Sequence, residues 1–216
     1  LPKCQDAPEL GADKILFNVS LFIDELFISL YKEKSFYNLK SDKDLVGHLV
    51  AALAPHTSAA IVGRIIGFSK SQALFAHPLF HAATRRDCDG DEASVTLLMD
   101  ALLNFSRQFL PNSRGATQDA PLVLTSILNP SEVDDMIFDL DVVKQYPLEF
   151  YEAALEFKMP WEVKIKRFGN ILDSESNYPA IHFTHPVSNI NIGVKCSSYK
   201  TLPSMEEKLL GQMDLA

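Results

Sequence analysis

Cysteine is scarce in this sequence. The 216 residues include three cysteines, Cys4, Cys88 and Cys196, which lie far apart and form no Cys-x-x-Cys pair. Zinc sites and disulfide frameworks need paired or clustered cysteines, so neither is expected here. A reducing cytoplasm is the expected compartment of such a chain.

Positive charge is also in deficit. Lysine and arginine number 20 against 28 aspartates and glutamates, which gives a formal net charge of −8. A domain that binds DNA on its own is usually basic, because neutralising phosphates dominates its affinity. The balance argues against a free-standing DNA-binding domain. It is compatible with a metal-dependent site inside a larger assembly whose basic surfaces lie elsewhere.

Long hydrophobic runs and several common catalytic motifs are missing. The longest apolar stretch, residues 15–31, is interrupted by five polar residues and is too polar to span a bilayer. The sequence has no P-loop, no Gly-x-Gly-x-x-Gly, no Gly-x-Ser-x-Gly and no Cys–His nucleophile pattern. It begins at Leu1 without a signal-like segment and ends in what reads as an unfinished helix. We therefore expect both ends to be cuts in a longer protein.

Residues 1–55 predict a pair of helices. Asp13 is placed to cap a helix over residues 14–31, whose apolar residues recur at helical spacing. Ser41, with Asp44 three residues later, predicts the start of a second helix, which Pro55 ends.

Residues 56–130 predict strands around an acidic turn. Short apolar runs at residues 59–68 and 73–83, broken by glycine, proline and histidine, are interpreted as strands. A third helix is predicted over residues 92–110, and another strand over residues 121–128. This segment is the expected catalytic part of the chain.

Residues 131–216 predict a mixture of short elements. Helices are expected to begin at Ser131 and at Pro147, the second reaching about residue 157. The remaining elements are a strand or helix over residues 161–168, strands over 181–184 and 190–194, and a last helix capped by Ser204 and Glu207. The irregular order of helices and strands predicts a mixed α+β fold.

The densest cluster of chemically capable side chains is the acidic turn Asp-Cys-Asp-Gly-Asp-Glu at residues 87–92. Magnesium takes oxygen ligands and usually only one or two carboxylates from a protein. Asp89 and Asp91 are separated by Gly90, which lets the backbone bend so that both carboxylates converge. The pattern is compatible with a magnesium site at Asp89 and Asp91, with Asp87 as an uncertain third member, but by itself it does not decide.

Three other interpretations of the acidic turn remain open. Asp91 fits the N-cap of the predicted helix that follows it. The cluster also fits a solvated turn with no ligand. A calcium loop is the weakest fit, because Gly90 precedes Asp91 and the closing position, counted from Asp87, is Leu98 instead of glutamate.

Two further groups of residues are candidates beside the turn. His77 and His81 lie four residues apart without an HExxH pattern, so strand packing or hydrogen bonding is favoured over zinc. Arg85 and Arg86 could contact phosphate, with balancing the charge of the acidic turn as the alternative. Arg64 could serve similarly, with surface solubility as the alternative. A basic run at Lys164, Lys166 and Arg167 is interpreted as a solvated face.

The segment HPLFHAATRRDCDGDEASVTLLMDALLNFSRQFLP, residues 77–111, resembles the active-site region of the large subunit of archaeal family-D DNA polymerases. The resemblance extends in the same order to LPKCQDAPELGADKILFNVSLFIDEL, LVGHLVAALAPHTSAAIVGRIIGF, DAPLVLTSILNP, DVVKQYPLEFYEA, IHFTH and YKTLPSMEEKL. It covers nearly the whole chain and is far more specific than a lone pair of aspartates.

The resemblance implies a magnesium-dependent DNA polymerase whose core contains double-psi β-barrels. The family's Asp-Gly-Asp, which binds the catalytic metal, falls on Asp89 and Asp91. Implied partners are primer–template DNA, deoxynucleoside triphosphates, the rest of the large subunit, a small 3′–5′ exonuclease subunit and a sliding clamp, with no membrane. The family's zinc-binding cysteines lie beyond this chain, and we expect these 216 residues alone to be inactive.

Two residues depart from the family pattern. Asp87 stands where family members usually have asparagine, and Thr84 stands where many have lysine before the paired arginines. The first adds negative charge near the metal, and the second removes a phosphate contact. A stand-alone magnesium-dependent phosphohydrolase and a non-catalytic interaction module are the alternative functions.

Overall fold

The computed structural model of the chain describes residues 1–2, 11–53, 59–71, 73–84, 93–104, 123–125, 135–172, 181, 184, 188–192 and 204–216. The chain divides into two compact units. The first comprises Leu1–His48, Ile65–Phe75 and Asn189–Ala216, and the second comprises Leu49–Arg64 and Ala76–Ser188. Each unit is described by itself.

Helix α1 (Ala12–Leu26) opens the first unit and continues as one π-helical turn, Phe27–Tyr31. The predicted helix over residues 14–31 is therefore confirmed, with a change of geometry in its last turn. The predicted cap was wrong, because Gly11 occupies the N-cap while Asp13 is buried in the first turn.

A buried carboxylate fixes the loop after α1. Asp24 Oδ1 accepts the backbone N–H groups of Phe36 and Tyr37 at 2.8 and 2.7 Å. Its Oδ2 accepts that of Asn38 at 2.6 Å, and Asn38 has a positive φ of 50°. Because one carboxylate satisfies three loop amides, the loop's path is tied to the buried side of α1.

The second predicted helix, over residues 41–55, was wrong beyond its first turn. Ser41 and Asp44 do form a capping box, in which the Asp44 carboxylate accepts the Ser41 N–H at 2.9 Å. The turn they start is a short 3₁₀ helix, Asp42–Leu45, and the chain then extends into strand β1 (Leu49–Leu53). The residues of β1 form hydrogen bonds with two neighbouring strands instead of continuing a helix.

The second unit contains a four-stranded mixed sheet. Its other strands are β2 (Ala59–Arg64), β3 (Ser94–Leu97) and β4 (Val123–Thr125), in the order β3-β1-β2-β4. Strand β1 pairs antiparallel with β2 and β3, while β2 pairs parallel with β4. The strand predictions at residues 59–68 and 121–128 are confirmed for β2 and β4, although residues 65–68 are not in a strand.

Two predictions on either side of the acidic turn were wrong. The apolar run at residues 73–83 was expected to be a strand, but Pro78–Ala83 forms helix α2. Pro78 occupies the first helical position, where its fixed φ and missing N–H are tolerated. The helix expected over residues 92–110 starts late, because Ser94–Leu97 pairs with β1 as β3 and helix α3 (Leu98–Asn104) follows directly.

The rest of the second unit surrounds a compact apolar cluster. Its elements are helices α4 (Asp135–Phe138) and α5 (Leu148–Leu155) and the 3₁₀ turns Pro160–Glu162 and Phe168–Asn170. Four buried residues form the cluster: Ile137, Val142, Phe168 and Ile171. Helix α5 confirms the predicted helix, although Pro147 is its N-cap instead of its first residue and the helix ends at Leu155.

Three later predictions have mixed outcomes. Residues 161–168 form neither a continuous strand nor a helix, but a 3₁₀ turn followed by a single antiparallel bridge between Arg167 and Asp141. Ile190 to Ile192 form a turn instead of the expected strand. The last helix, α6 (Met205–Leu215), is confirmed, and the Ser204 hydroxyl accepts the Glu207 N–H at 3.3 Å.

The fold is α+β, as predicted, with one mixed sheet and short helices. Residues 182–183 and 193–194, which belong to the predicted strands 181–184 and 190–194, lie outside the described residues, as does the predicted helix start at Ser131. In the part of the chain that the structure describes, no helix is long and apolar enough to cross a membrane.

Candidate functional site

The acidic turn predicted to bind magnesium lies outside the described residues. This holds for Asp87, Asp89 and Asp91, and for Arg85 and Arg86 before them. The structure instead describes the two elements that the turn connects, helix α2 on one side and strand β3 on the other. The surroundings of the predicted site are therefore described through these two elements.

Helices α2 and α3 cover opposite faces of the sheet. Side chains alternate between the two faces along a strand, so Ala51 and Ala60 point to one face and Gly63 to the other. The first face packs against Ala101 of α3, and the second meets Phe80 of α2. Helix α2, which precedes the acidic turn, therefore lies on one face of the sheet, and β3, which follows the turn, is the outermost strand among the described residues.

A close contact seats α2 on strand β2. A Cβ atom built on Gly63 would lie 2.8 Å from Cε2 of Phe80, closer than real Cβ contacts. The missing side chain thus lets the Phe80 ring lie directly against the strand backbone. Phe80 precedes Thr84, the last described residue before the acidic turn, so this contact helps to set where the turn begins.

The two histidines lie at the start of α2 and within it, and not on a strand. His77 precedes the helix, and its Nδ1 accepts the Leu79 N–H at 3.2 Å, which makes it a side-chain cap. His81 lies one turn later with its ring edge-on to Phe80, at a centroid distance of 6.4 Å. Burial lowers the pKa of His81, because desolvation disfavours the charged imidazolium.

Thr84 ends helix α2. Its hydroxyl donates to the His81 carbonyl oxygen at 2.7 Å, and its N–H donates to the carbonyl oxygens of Phe80 and His81 at 3.2 and 3.1 Å. Thr84 occupies the position where the resembled family often has lysine. Here the side chain bonds the helix end instead of reaching outward as a cation.

Arg64, the third arginine candidate, lies at the end of β2 with an exposed side chain. It pairs with Leu49, whereas Ser94, where β3 begins after the acidic turn, pairs with Leu53. Four residues on β1 correspond to about 14 Å along an antiparallel strand. The register therefore places Arg64 and the start of β3 at opposite ends of the sheet.

A second group of residues lines a surface pocket of about 200 Å³ in the second unit. Of its charged members, the sequence singled out Arg167 but not Asp139 or Asp141. Arg167 donates to Asp139 Oδ1 at 2.8 Å, and Tyr146 donates to Asp141 Oδ2 at 2.8 Å. The hydrogen bond to Asp141 raises the pKa of the Tyr146 hydroxyl, since ionisation would place two negative charges side by side. The sequence signal for this pocket was the basic run at Lys164, Lys166 and Arg167, which follows Trp161. Its interpretation as a solvated face fits the two exposed lysines, whereas Arg167 is half-buried and hydrogen-bonded.

Each pocket carboxylate is thus held by a donor from another side chain. Among the residues that the structure describes, no three histidine, cysteine, aspartate or glutamate side chains come together as a metal site. The acidic turn, where the metal site is predicted, lies outside those residues.

Comparison with known proteins identifies the family of this chain. A family model described as "DNA polymerase II large subunit DP2, catalytic domain" matches residues 4–208. The match includes both flanks and the acidic turn between them. The chain belongs to this family of polymerase catalytic domains.

Individual relatives agree with the family match. The chain is 53% identical to the DNA polymerase II large subunit of Archaeoglobus fulgidus over 211 residues, which are 97% of this chain and 18% of that protein. It is 53% identical to the large subunit of Pyrococcus furiosus over 207 residues, 95% of this chain and 16% of that protein. The chain is 50% identical to the Thermoplasma acidophilum large subunit over 214 residues, and the match covers 95% of this chain and 19% of that protein. The chain spans less than a fifth of the length of these relatives.

Proposed function

We propose that this chain is the catalytic segment of a DNA-directed DNA polymerase and that its full-length large subunit performs template-directed nucleotidyl transfer in DNA replication. The observation that carries the proposal is the family match over residues 4–208, which includes the Asp-Gly-Asp turn. In the reaction, a primer 3′-hydroxyl attacks the α-phosphate of an incoming deoxynucleoside triphosphate, and pyrophosphate leaves.

Asp89 and Asp91 are the proposed magnesium ligands. Their carboxylate oxygens are the donors that magnesium prefers, and the thiol of Cys88 between Asp87 and Asp89 is not. The turn connects helix α2 to strand β3, the outermost strand of the sheet among the described residues. Asp87 would add negative charge beside the pair. When bound, magnesium lowers the pKa of the attacking hydroxyl and stabilises charge on the phosphate.

The arginines have unequal support as phosphate-binding residues. Arg85 and Arg86 directly precede the acidic turn in sequence and are proposed to contact the triphosphate or the DNA backbone. Arg64 is a weaker candidate, since its strand end is about 14 Å along β1 from the partner of Ser94. An Arg64 contact would require DNA that extends across the sheet.

Several properties of the whole enzyme follow as proposals from the same family. We propose that the sheet β3-β1-β2-β4 forms part of a double-psi β-barrel. The full enzyme would pair the large subunit with a small exonuclease subunit, engage a sliding clamp and act in the cytoplasm of an archaeal cell. The archaeal setting is supported by the relatives from Archaeoglobus fulgidus, Pyrococcus furiosus and Thermoplasma acidophilum.

Primer extension by the full-length large subunit with its small subunit tests the proposal. Asp89→Asn and Asp91→Asn are each expected to abolish magnesium-dependent extension, because each removes one anionic ligand. Cys88→Ser is the matched control within the same turn and should retain most activity, since a thiol contributes little to magnesium binding.

Two outcomes would contradict this assignment. Extension at the wild-type rate by either aspartate variant would show that the turn is not the metal site. Hydrolysis of a simple phosphomonoester without nucleic acid, lost in Asp91→Asn, would instead support a phosphohydrolase.

A further inference from the structure

The only tryptophan of the chain, Trp161, is 71% exposed. It lies in the 3₁₀ turn Pro160–Glu162 and lines the pocket described above. A large aromatic ring usually contributes most to stability when buried, so a ring left this open is available to a ligand.

Hydrogen bonds hold the turn that carries this ring. The Glu162 carboxylate accepts the Met159 N–H at 2.8 Å, which closes the turn from within. Arg167 donates to the Pro160 carbonyl oxygen at 3.3 Å while its other nitrogen donates to Asp139. The ring is therefore presented on a fixed support, which reduces the entropy lost on binding.

Two lysines follow Trp161 on the same stretch of chain. Lys164 and Lys166 are exposed, whereas the residues between and before them, Val163 and Ile165, are half-buried. The backbone at Lys166 is anchored, since its carbonyl oxygen accepts the Val142 N–H at 3.0 Å. Neither lysine forms an ion pair with any residue in the described part of the chain.

The charge of this stretch is opposite to that of the whole chain. Residues 158–167 contain four basic residues and one acidic residue, within a chain of net charge −8. Lys158 pairs with Glu156 and Arg167 pairs with Asp139, so Lys164 and Lys166 are the cations of this stretch that form no ion pair among the described residues. Local positive charge beside an open aromatic ring is the combination that proteins use to bind single-stranded nucleic acid, with bases on the ring and phosphates on the cations.

We propose that Trp161, Lys164 and Lys166, here called the Trp161 strip, bind single-stranded DNA. Trp161 stacks on an unpaired base, and Lys164 and Lys166 contact backbone phosphates on either side. Arg167 is a positioning residue, because its guanidinium is engaged with Asp139 and Pro160. The inference rests on the proposed polymerase function and assigns to the second unit a site for the unpaired template strand.

Chemistry favours a single strand over a duplex or a protein partner. A paired base is already stacked and cannot offer its face to an isolated tryptophan ring. A protein surface that buries Trp161 would have to leave two lysine charges unpaired or supply carboxylates, whereas a phosphate backbone supplies regularly spaced negative charges.

The test measures DNA binding by the full-length large subunit with fluorescence anisotropy. The probes are a labelled 20-nucleotide oligothymidylate and a labelled 20-base-pair duplex. Trp161→Ala is expected to weaken binding of the single strand about tenfold, the effect of losing one stacked base, and to leave duplex binding unchanged. Phe22→Ala is the matched control, because Phe22 is a similarly exposed aromatic residue, 64% exposed, in the first unit.

The lysines are tested through salt dependence. Lys164→Gln/Lys166→Gln is expected to reduce the slope of log affinity against log salt for the single strand by about 1.4, since each lost phosphate contact removes about 0.7. Lys34→Gln/Lys43→Gln removes the same charge from two exposed positions of the first unit and should leave the slope unchanged.

The outcomes separate this inference from the proposed function. If the wild-type subunit binds the single strand and both Trp161 strip variants bind it equally well, the strip is overturned while the polymerase proposal stands. An equal loss of duplex binding in Trp161→Ala would overturn base stacking. If Asp91→Asn retains primer extension but the strip variants lose single-strand binding, the catalytic assignment fails and the strip stands.

Discussion

Asp24 in the first unit and Asp139 in the second are both hydrogen-bonded aspartates, but their partners differ. Asp24 is buried and accepts three backbone N–H groups, from Phe36, Tyr37 and Asn38. Asp139 is exposed and bonds the side chain of Arg167. A carboxylate that satisfies buried backbone amides stabilises the fold, whereas one that holds an exposed side chain orients a surface.

The same distinction, between carboxylates that stabilise the fold and carboxylates that serve a surface, applies to the acidic turn. Asp89 and Asp91 have a glycine between them and two flanks that the structure fixes, α2 through Phe80 and β3 through pairing with β1. The carboxylates of the turn are proposed to serve the reaction and not the stability of the fold.

The largest effect on stability is expected from removing the Asp24 carboxylate. Asp24→Ala leaves three amides without their acceptor and is expected to lower the free energy of local opening by about 3 kcal/mol. Asp139→Ala should cost less than about 1 kcal/mol, because exposed ion pairs contribute little. Hydrogen exchange at the Phe36–Asn38 amides and at the amides around Arg167 measures both effects. Equal losses at the two sites would contradict the distinction.

The contact between Gly63 and Phe80 offers a second test, on the support of the acidic turn. Gly63→Ala places a methyl group against the Phe80 ring and is expected to destabilise the sheet by about 1–2 kcal/mol through overpacking. Gly63→Ala/Phe80→Leu should recover part of the loss, since the shorter side chain leaves room for the methyl group. A fully tolerated Gly63→Ala would show that α2 is seated in some other way.

The smallest expected effect is the pH dependence of α2. The pKa of His81 is lowered in the folded state, so below its ordinary value of 6.5 the unfolded state binds more protons than the folded state. Stability at α2 should therefore fall as the pH drops through 6.5, and His81→Gln should weaken this dependence. Hydrogen exchange at the Phe80 and Thr84 amides, corrected for intrinsic rates, measures it. A loss of stability on raising the pH, present only in the wild type, would contradict the assigned direction.

The parts of the fold that the sequence predicted are those set by local signals. Helix α1, the capping box at Ser41 and the Ser204 cap depend on spacing and on side chains within one turn. Strand β1 was missed because a short apolar run is compatible with either a helix or a strand, and only its pairing with β2 and β3 decides.

The regions around the site were harder to predict for the same reason. Residues Ser94 to Leu97 continue the helical spacing of α3, yet their hydrogen bonds to β1 make them a strand. Pro78 is a signal for the start of α2, because proline favours the first helical position. The strand predicted over residues 73–83 followed the apolar run instead. The role of the Asp-Gly-Asp turn came from family resemblance, because pattern alone left a cap, a solvated turn and a metal site open.

The most direct test of the account pairs Asp91→Asn with Asp24→Asn in the full-length large subunit. For each variant, the single-turnover rate of primer extension and hydrogen exchange at the Phe36–Asn38 amides are measured on the same preparation. We expect Asp91→Asn to abolish primer extension and to leave hydrogen exchange at these amides unchanged. We expect Asp24→Asn to speed hydrogen exchange at these amides and to keep the extension rate of the folded enzyme. Extension at the wild-type rate by Asp91→Asn would contradict the central claim that this carboxylate holds the catalytic metal.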